Sequence, residues 1–195
     1  MDNLALLSFM MYVMVNAFTP GPGNILALST MTQYGWKAGK PLFFGVFLGY
    51  FVVQALCALF VFGLNEYLST AIDLLKYIGA AYIAWLAISV ILSKPSDAQS
   101  SKQPSFWVGF TLQFVNVKIF LFGITALTAY VLPFYQSLDM FLFFEAIIAI
   151  VGTIATLTWI MFGAILQHMY TSHFRLINLL LGAVLLECAY ELLMT

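Results

Sequence analysis

The chain has 195 residues, of which 63% are hydrophobic and 8% charged, with a formal net charge of −1 and a mean hydropathy of +1.00. A soluble domain carries about a quarter of its residues charged, so this composition excludes a wetted globular surface and makes lipid the solvent. A balance so close to neutral gives no sign of a nucleic-acid partner.

Six apolar runs follow one another, at 4–31, 39–63, 69–92, 106–131, 138–166 and 175–194. Each is about 20 residues or longer, enough at about 1.5 Å per residue to cross a hydrocarbon core of about 30 Å. The expected fold is an all-α integral membrane protein of six transmembrane helices, a single transmembrane domain over 1–195. The first run begins Met1-Asp2-Asn3, with no basic n-region and no small-residue cleavage site, so it reads as a retained span.

Within the first run, Asn16-Ala17-Phe18-Thr19-Pro20-Gly21-Pro22-Gly23-Asn24 holds two prolines and two glycines. Proline removes a donor and glycine removes rigidity, so the helix should break here. Irregular backbone at membrane depth persists only where it is buried in protein or lines a watery cavity. A second half-helix starting near Thr19 or Asn24 would aim its N–H groups into that cavity, a place for a carboxylate. Carbonyls of Thr19 to Gly23, or the Asn24 side chain, would then serve an ammonium.

After this run comes Gly35-Trp36-Lys37-Ala38-Gly39-Lys40-Pro41, one residue short of a phosphate-binding loop and without its hydroxyl. No ATP site is visible. In the second run Gly45 and Gly49 form a GxxxG pair suited to close contact inside one bundle. The stretch 93–105, with Pro95, Pro104 and several serines, reads as a cytoplasmic connection between half one (1–92) and half two (106–195). Three spans per half force opposite orientations, as in a 3+3 inverted repeat with helices one and four broken. Tyr77-Ile78-Gly79-Ala80 and Leu180-Leu181-Gly182-Ala183 supply a faint internal echo.

The fourth run carries Asn116-Val117-Lys118 about ten residues from its start. A lysine near a span's centre costs roughly 2.5 to 3.5 kcal/mol and normally marks a substrate or proton path. Glu145 and Glu187 are the remaining carboxylates within runs, each a counter-ion for Lys118 or a proton carrier. Both lie nearer the outer ends of their spans, where water reaches a carboxylate, so a solvated role is the expectation for each. Gln54 and Gln113 either line a pathway or bond between helices. His168, His173, Cys57 and Cys188 lack ligand spacing, so neither a metal nor another cofactor is expected.

Lys37, Lys40, Lys94, Lys102 and Arg175 follow spans one, three and five, whereas the other side offers Lys76. By the retention of positive residues in the cytoplasm, both termini should face outward. Trp36, Tyr34 and Trp107, with Tyr67, Tyr130 and Tyr135 opposite, read as interfacial belts.

Phe18-Thr19-Pro20-Gly21-Pro22-Gly23-Asn24 together with Gln113-Phe114-Val115-Asn116-Val117-Lys118 closely resembles the LysE/RhtB family of bacterial amino-acid exporters. Gly79-Ala80-Ala81-Tyr82-Ile83-Ala84-Trp85-Leu86, the chain length and the six runs fit the same pattern. Asn-Ile-Leu-Ala-Leu-Ser at 24–29 and the Asn-Val-Lys form make the likeness greatest to the cysteine and O-acetylserine exporter subgroup. Val117 stands where many members have proline. The resemblance implies a secondary transporter, not an enzyme, in the bacterial inner membrane, exporting small neutral amino acids from the cytoplasm. Thr19, Pro20, Gly21, Pro22, Gly23, Asn24, Asn116 and Lys118 form the candidate substrate site, and proton antiport is the expected drive. Alternatives are a membrane thiol-redox carrier, or export of threonine, homoserine or leucine. Self-association stays open.

Overall fold

The computed structural model describes residues 1, 3–63, 77, 80, 81, 84, 85, 87, 88, 90–92 and 104–194, without the side chains of 167–171, 188 and 191–194. The connection at 93–103, Lys76, Gly79 and the Cys188 side chain therefore lie outside the described residues. All the regular structure among them is helical: α1 (Asn3–Phe18), α2 (Pro22–Gly63), α3 (Phe106–Val115), α4 (Val117–Thr125), a π-helical turn (Ala126–Val131) and α5 (Leu138–Met194). Two helical segments are long and apolar enough to cross a membrane, Pro22–Gly63 and Leu138–Leu166, and the bent pair Phe106–Val115 with Val117–Val131 makes a third.

Two of these helices contain non-helical residues. Gly35 (φ 70, ψ 179) interrupts α2 in the left-handed region that side chains rarely adopt. The limbs on either side then fold back on one another. A Cβ on Gly39 would meet Thr30 at 3.2 Å, while those on Gly23 and Gly49 would both meet Gln113, at 3.3 and 2.8 Å. The apolar runs at 4–31 and 39–63 leave 32–38 between them, and the chain reverses there on a single glycine. His173 (φ −129, ψ 23), with an ordinary negative φ, is the non-helical residue within α5.

Close backbone approach fixes α3 against α2. A Cβ on Gly45 would collide with the Phe106 carbonyl, one on Gly109 with the Leu42 carbonyl, and one on Gly49 would lie 2.8 Å from the Phe110 carbonyl. The Gly45/Gly49 pair thus serves contact within one bundle, as its spacing suggested. Outward faces are as apolar as inward ones: Phe44, Met161 and Ile165 are all more than half exposed. A helix apolar all round suits a lipid-facing bundle.

The buried apolar residues form two clusters instead of one. Their boundary passes between Val46 and Tyr50 on α2 and between Val117 and Ile119 on α4. Both helix breaks lie at this level.

Candidate functional site

The first break runs from Thr19 to Gly21. Thr19 N–H still donates to Val15 O at 3.1 Å, closing α1, and Ile25 N–H donates to Gly21 O at 2.9 Å, opening α2. Pro22 is the first helical residue, where a missing N–H costs nothing and the fixed φ is already helical. The N–H groups of Gly23 and Asn24 have no acceptor within the helix, as in any first turn. They carry the positive end of the helix dipole toward the bundle interior.

Asn116 forms the second break. Its φ of −83 and ψ of 84 part α3 from α4, and the pair is bent by 55°. Val117 in place of proline does not straighten it. Asn116 is buried, and its Oδ1 has no hydrogen-bond partner among the described residues.

Lys118 joins the two breaks. Its Nζ donates to Thr19 Oγ1 at 2.8 Å, Pro20 O at 3.0 Å and Thr19 O at 3.2 Å. An ammonium has three protons to donate, so these acceptors explain why a half-buried cation is tolerated beside an apolar core. Gly21 is small for the same reason. A Cβ there would lie 3.1 Å from both Cδ and Nζ of Lys118.

Gly21, Gly23, Asn24, Gln113, Asn116 and Lys118 line one cavity, which Tyr50, Gly152 and Thr156 close from the other helices. Its empty volume, counted out into the open space at the mouth, is about 390 Å³. Of the residues expected from the sequence to form the substrate site, Gly21, Gly23, Asn24, Asn116 and Lys118 line this cavity, whereas Thr19, Pro20 and Pro22 do not.

Some roles differ from the expectation. Asn24 is a brace: its Nδ2 donates to Ala17 O at 3.1 Å and Thr19 O at 3.3 Å, and its Oδ1 accepts from Thr156 Oγ1 at 2.9 Å. The carbonyls of Thr19 and Pro20, expected to face a substrate ammonium, are engaged by Lys118. Glu145 is a correction. It is 1% exposed and out of reach of water, because α5 begins at Leu138 and two turns later this side chain points between α2 and α4. Glu187 is exposed and lines no part of the cavity. Gln113 lines it, with Nε2 donating to Gly109 O at 3.0 Å.

Three contributors escaped sequence reasoning. Thr156 braces Asn24, Trp159 Nε1 donates to Phe18 O at 3.3 Å at the end of α1, and Tyr50 forms the wall. Thr156 and Trp159 share one face of α5 by their i, i+3 spacing. Nothing marks that face in an apolar run rich in threonine.

The LysE type translocator family model matches residues 14–195. The cysteine/O-acetylserine efflux protein of Salmonella choleraesuis (strain SC-B67) is 39% identical over 193 residues, 98% of this chain and 99% of that protein. The protein of the same name from Shigella flexneri is 38% identical over the same shares, and that of Escherichia coli O139:H28 (strain E24377A / ETEC) is 39% identical over 95% of each chain. No solved structure matches.

Proposed function

The chain belongs to the LysE type translocator family, and from that premise we propose that it exports small neutral amino acids, cysteine and O-acetylserine first among them, in exchange for protons. It is a transporter and not an enzyme. The observation that carries the substrate reading is the meeting of Lys118 with the Gly21-capped start of α2 in one cavity. A substrate carboxylate is offered the N–H groups of Gly23 and Asn24 and the nearby ammonium charge. Asn116 Oδ1 is the free acceptor for the α-ammonium. Among the described residues no carboxylate lines the cavity, so a second substrate cation finds no counter-charge there, which disfavours lysine or arginine as cargo. The names of the relatives supply cysteine and O-acetylserine.

The six-span inverted arrangement has support in the reversal at Gly35, the interruption at His173 and the break that falls in each half. Placement in the bacterial inner membrane with both termini outward rests on the distribution of Lys and Arg. An ion gradient is the drive because the sequence holds no nucleotide-binding loop.

The test is uptake by inside-out vesicles acidified within, comparing O-acetylserine, cysteine, threonine, leucine and lysine. The two named substrates should accumulate, and Lys118→Met should insert normally yet transport poorly. If none of the five enters faster than in vesicles lacking the protein, the reading falls.

A further inference from the structure

Beneath the cavity lies a second polar niche, built where Gly123 has no side chain. A Cβ on Gly123 would lie 2.8 Å from Gln54 Oε1, 3.1 Å from Cys57 Sγ and 3.1 Å from Glu145 Oε1. Gln54 Oε1 and Glu145 Oε1 are thus no farther apart than the sum of their two distances. Both residues are 1% exposed, and neither Gln54's amide atoms nor Glu145's carboxyl oxygens have a hydrogen-bond partner among the described residues. Cys57 Sγ donates, weakly, to Phe120 O at 3.9 Å.

This niche connects with the cavity above it. Tyr50, Gln54 and Cys57 stand at i, i+4 and i+7 on one face of α2, and Tyr50 lines the cavity. Gly152, also on the cavity wall, lies seven residues beyond Glu145 on α5, about 10 Å along the helix at 1.5 Å per residue. The Tyr50 hydroxyl fills the space of the Gly152 side chain, since a Cβ there would lie 2.7 Å from it. Tyr50 thus stands on the cavity wall one helical turn from Gln54, and its phenol both donates and accepts a proton.

We propose that the Gly123 niche is a proton-binding site, with Glu145 as the group that takes and releases the proton and Tyr50 as its link to the substrate cavity. It rests on the antiport reading and names the residue that performs it. Glu145 Oε gains an O–H bond as the acid and loses that proton as the carboxylate, with no other reactant. An anion at this buried position is costly without a partner. Release of the proton therefore needs a different arrangement, in which water or a donor reaches the carboxylate. That requirement ties the proton to the transport cycle.

Among the described residues, the ionisable groups facing Glu145 are Tyr50 and Cys57, both of α2. On α4, Lys118 turns its ammonium to Thr19 and Pro20. Tyr12 of α1 and Tyr130 of the π-helical turn pack on one another, and Tyr12 on Phe122. Asp139, on α5 itself, is exposed. Lys118 is the weaker proton carrier because its ammonium is bound to three oxygens. Three side-chain oxygens and a thiol are also few for a hard metal cation, which takes about six or more oxygens.

Two assays on vesicles containing the full chain separate the outcomes. Accumulation of labelled O-acetylserine driven by an acid interior reads coupling, and exchange against preloaded unlabelled O-acetylserine without a gradient reads the substrate site. Glu145→Gln should lose the first and keep the second, and Glu145→Asp should restore accumulation with a displaced pH profile. Gly123→Ala, which keeps every titratable group but intrudes between Gln54 and Glu145, should also displace that profile. Accumulation by Glu145→Gln equal to wild type would overturn the niche alone and leave antiport standing. Wild type that exchanges but ignores the pH gradient, or follows a sodium gradient instead, removes the antiport reading and this site with it. An unaltered pH profile in Gly123→Ala also counts against the niche.

Discussion

Gly21→Ala adds one methyl group at the cap of α2, and its effect follows from three distances. Among the described residues positive φ occurs only at Gly35, so alanine meets no backbone strain at 21. Its Cβ would lie 3.1 Å from Lys118 Cδ and Nζ and 3.6 Å from Cε, inside the roughly 3.5–4.0 Å of comfortable contact. The lysine must retreat by a few tenths of an ångström. Its bonds to Pro20 O and Thr19 O, at 3.0 and 3.2 Å, have little length to spare before one is lost. A hydrogen bond to a charged group contributes about 1.5–3 kcal/mol. At about 1.4 kcal/mol per decade, one lost bond lowers transport efficiency roughly ten- to a hundredfold. Initial rates of O-acetylserine uptake into everted vesicles, corrected for the amount of protein inserted, measure this. Gly23→Ala is the control, because its Cβ meets the movable Gln113 amide at 3.3 and 3.4 Å and should cost less. Wild-type efficiency in Gly21→Ala, or an equal loss in Gly23→Ala, would show that Lys118's seat at the break does not govern the substrate site.

Thr156→Val removes the 2.9 Å bond to Asn24 Oδ1 at constant shape and should destabilise the bundle by about 1–2 kcal/mol. A lower unfolding midpoint in detergent is the expected reading, and an unchanged one would reduce Thr156 to a bystander. Val117→Pro should transport as wild type does. Position 117 opens α4, where proline is at home, and Asn116 already lies outside the α region at ψ 84. A strong loss of uptake by this variant would mean that the Val117 N–H has a role the bend does not explain.

The two breaks were legible because proline, glycine and an intramembrane lysine are expensive anywhere else in an apolar helix. The GxxxG contact was legible because a missing Cβ has one main use there. Glu145 was misjudged for a different reason. Distance from the end of an apolar run says how deep a residue lies, but not which way it points. Around Phe143-Phe144-Glu145-Ala146 every face is apolar, so no periodicity marks the one turned inward. The π-helical turn at Ala126–Val131 and the brace from Thr156 and Trp159 arise from packing against other helices, which a linear reading does not contain.

The ammonium of the later half of the chain is seated on oxygens of the earlier half. That has a consequence for biogenesis. Thr19 and Pro20 leave the ribosome about a hundred residues before Lys118, so the acceptors are already waiting when the cation arrives. Until it reaches them, the bent helix pair that carries Lys118 enters the bilayer under a penalty of roughly 2.5 to 3.5 kcal/mol. The break between α1 and α2 is then an assembly partner for α4, and a gene fragment encoding residues 106–195 alone would make a segment whose lysine lacks these three acceptors.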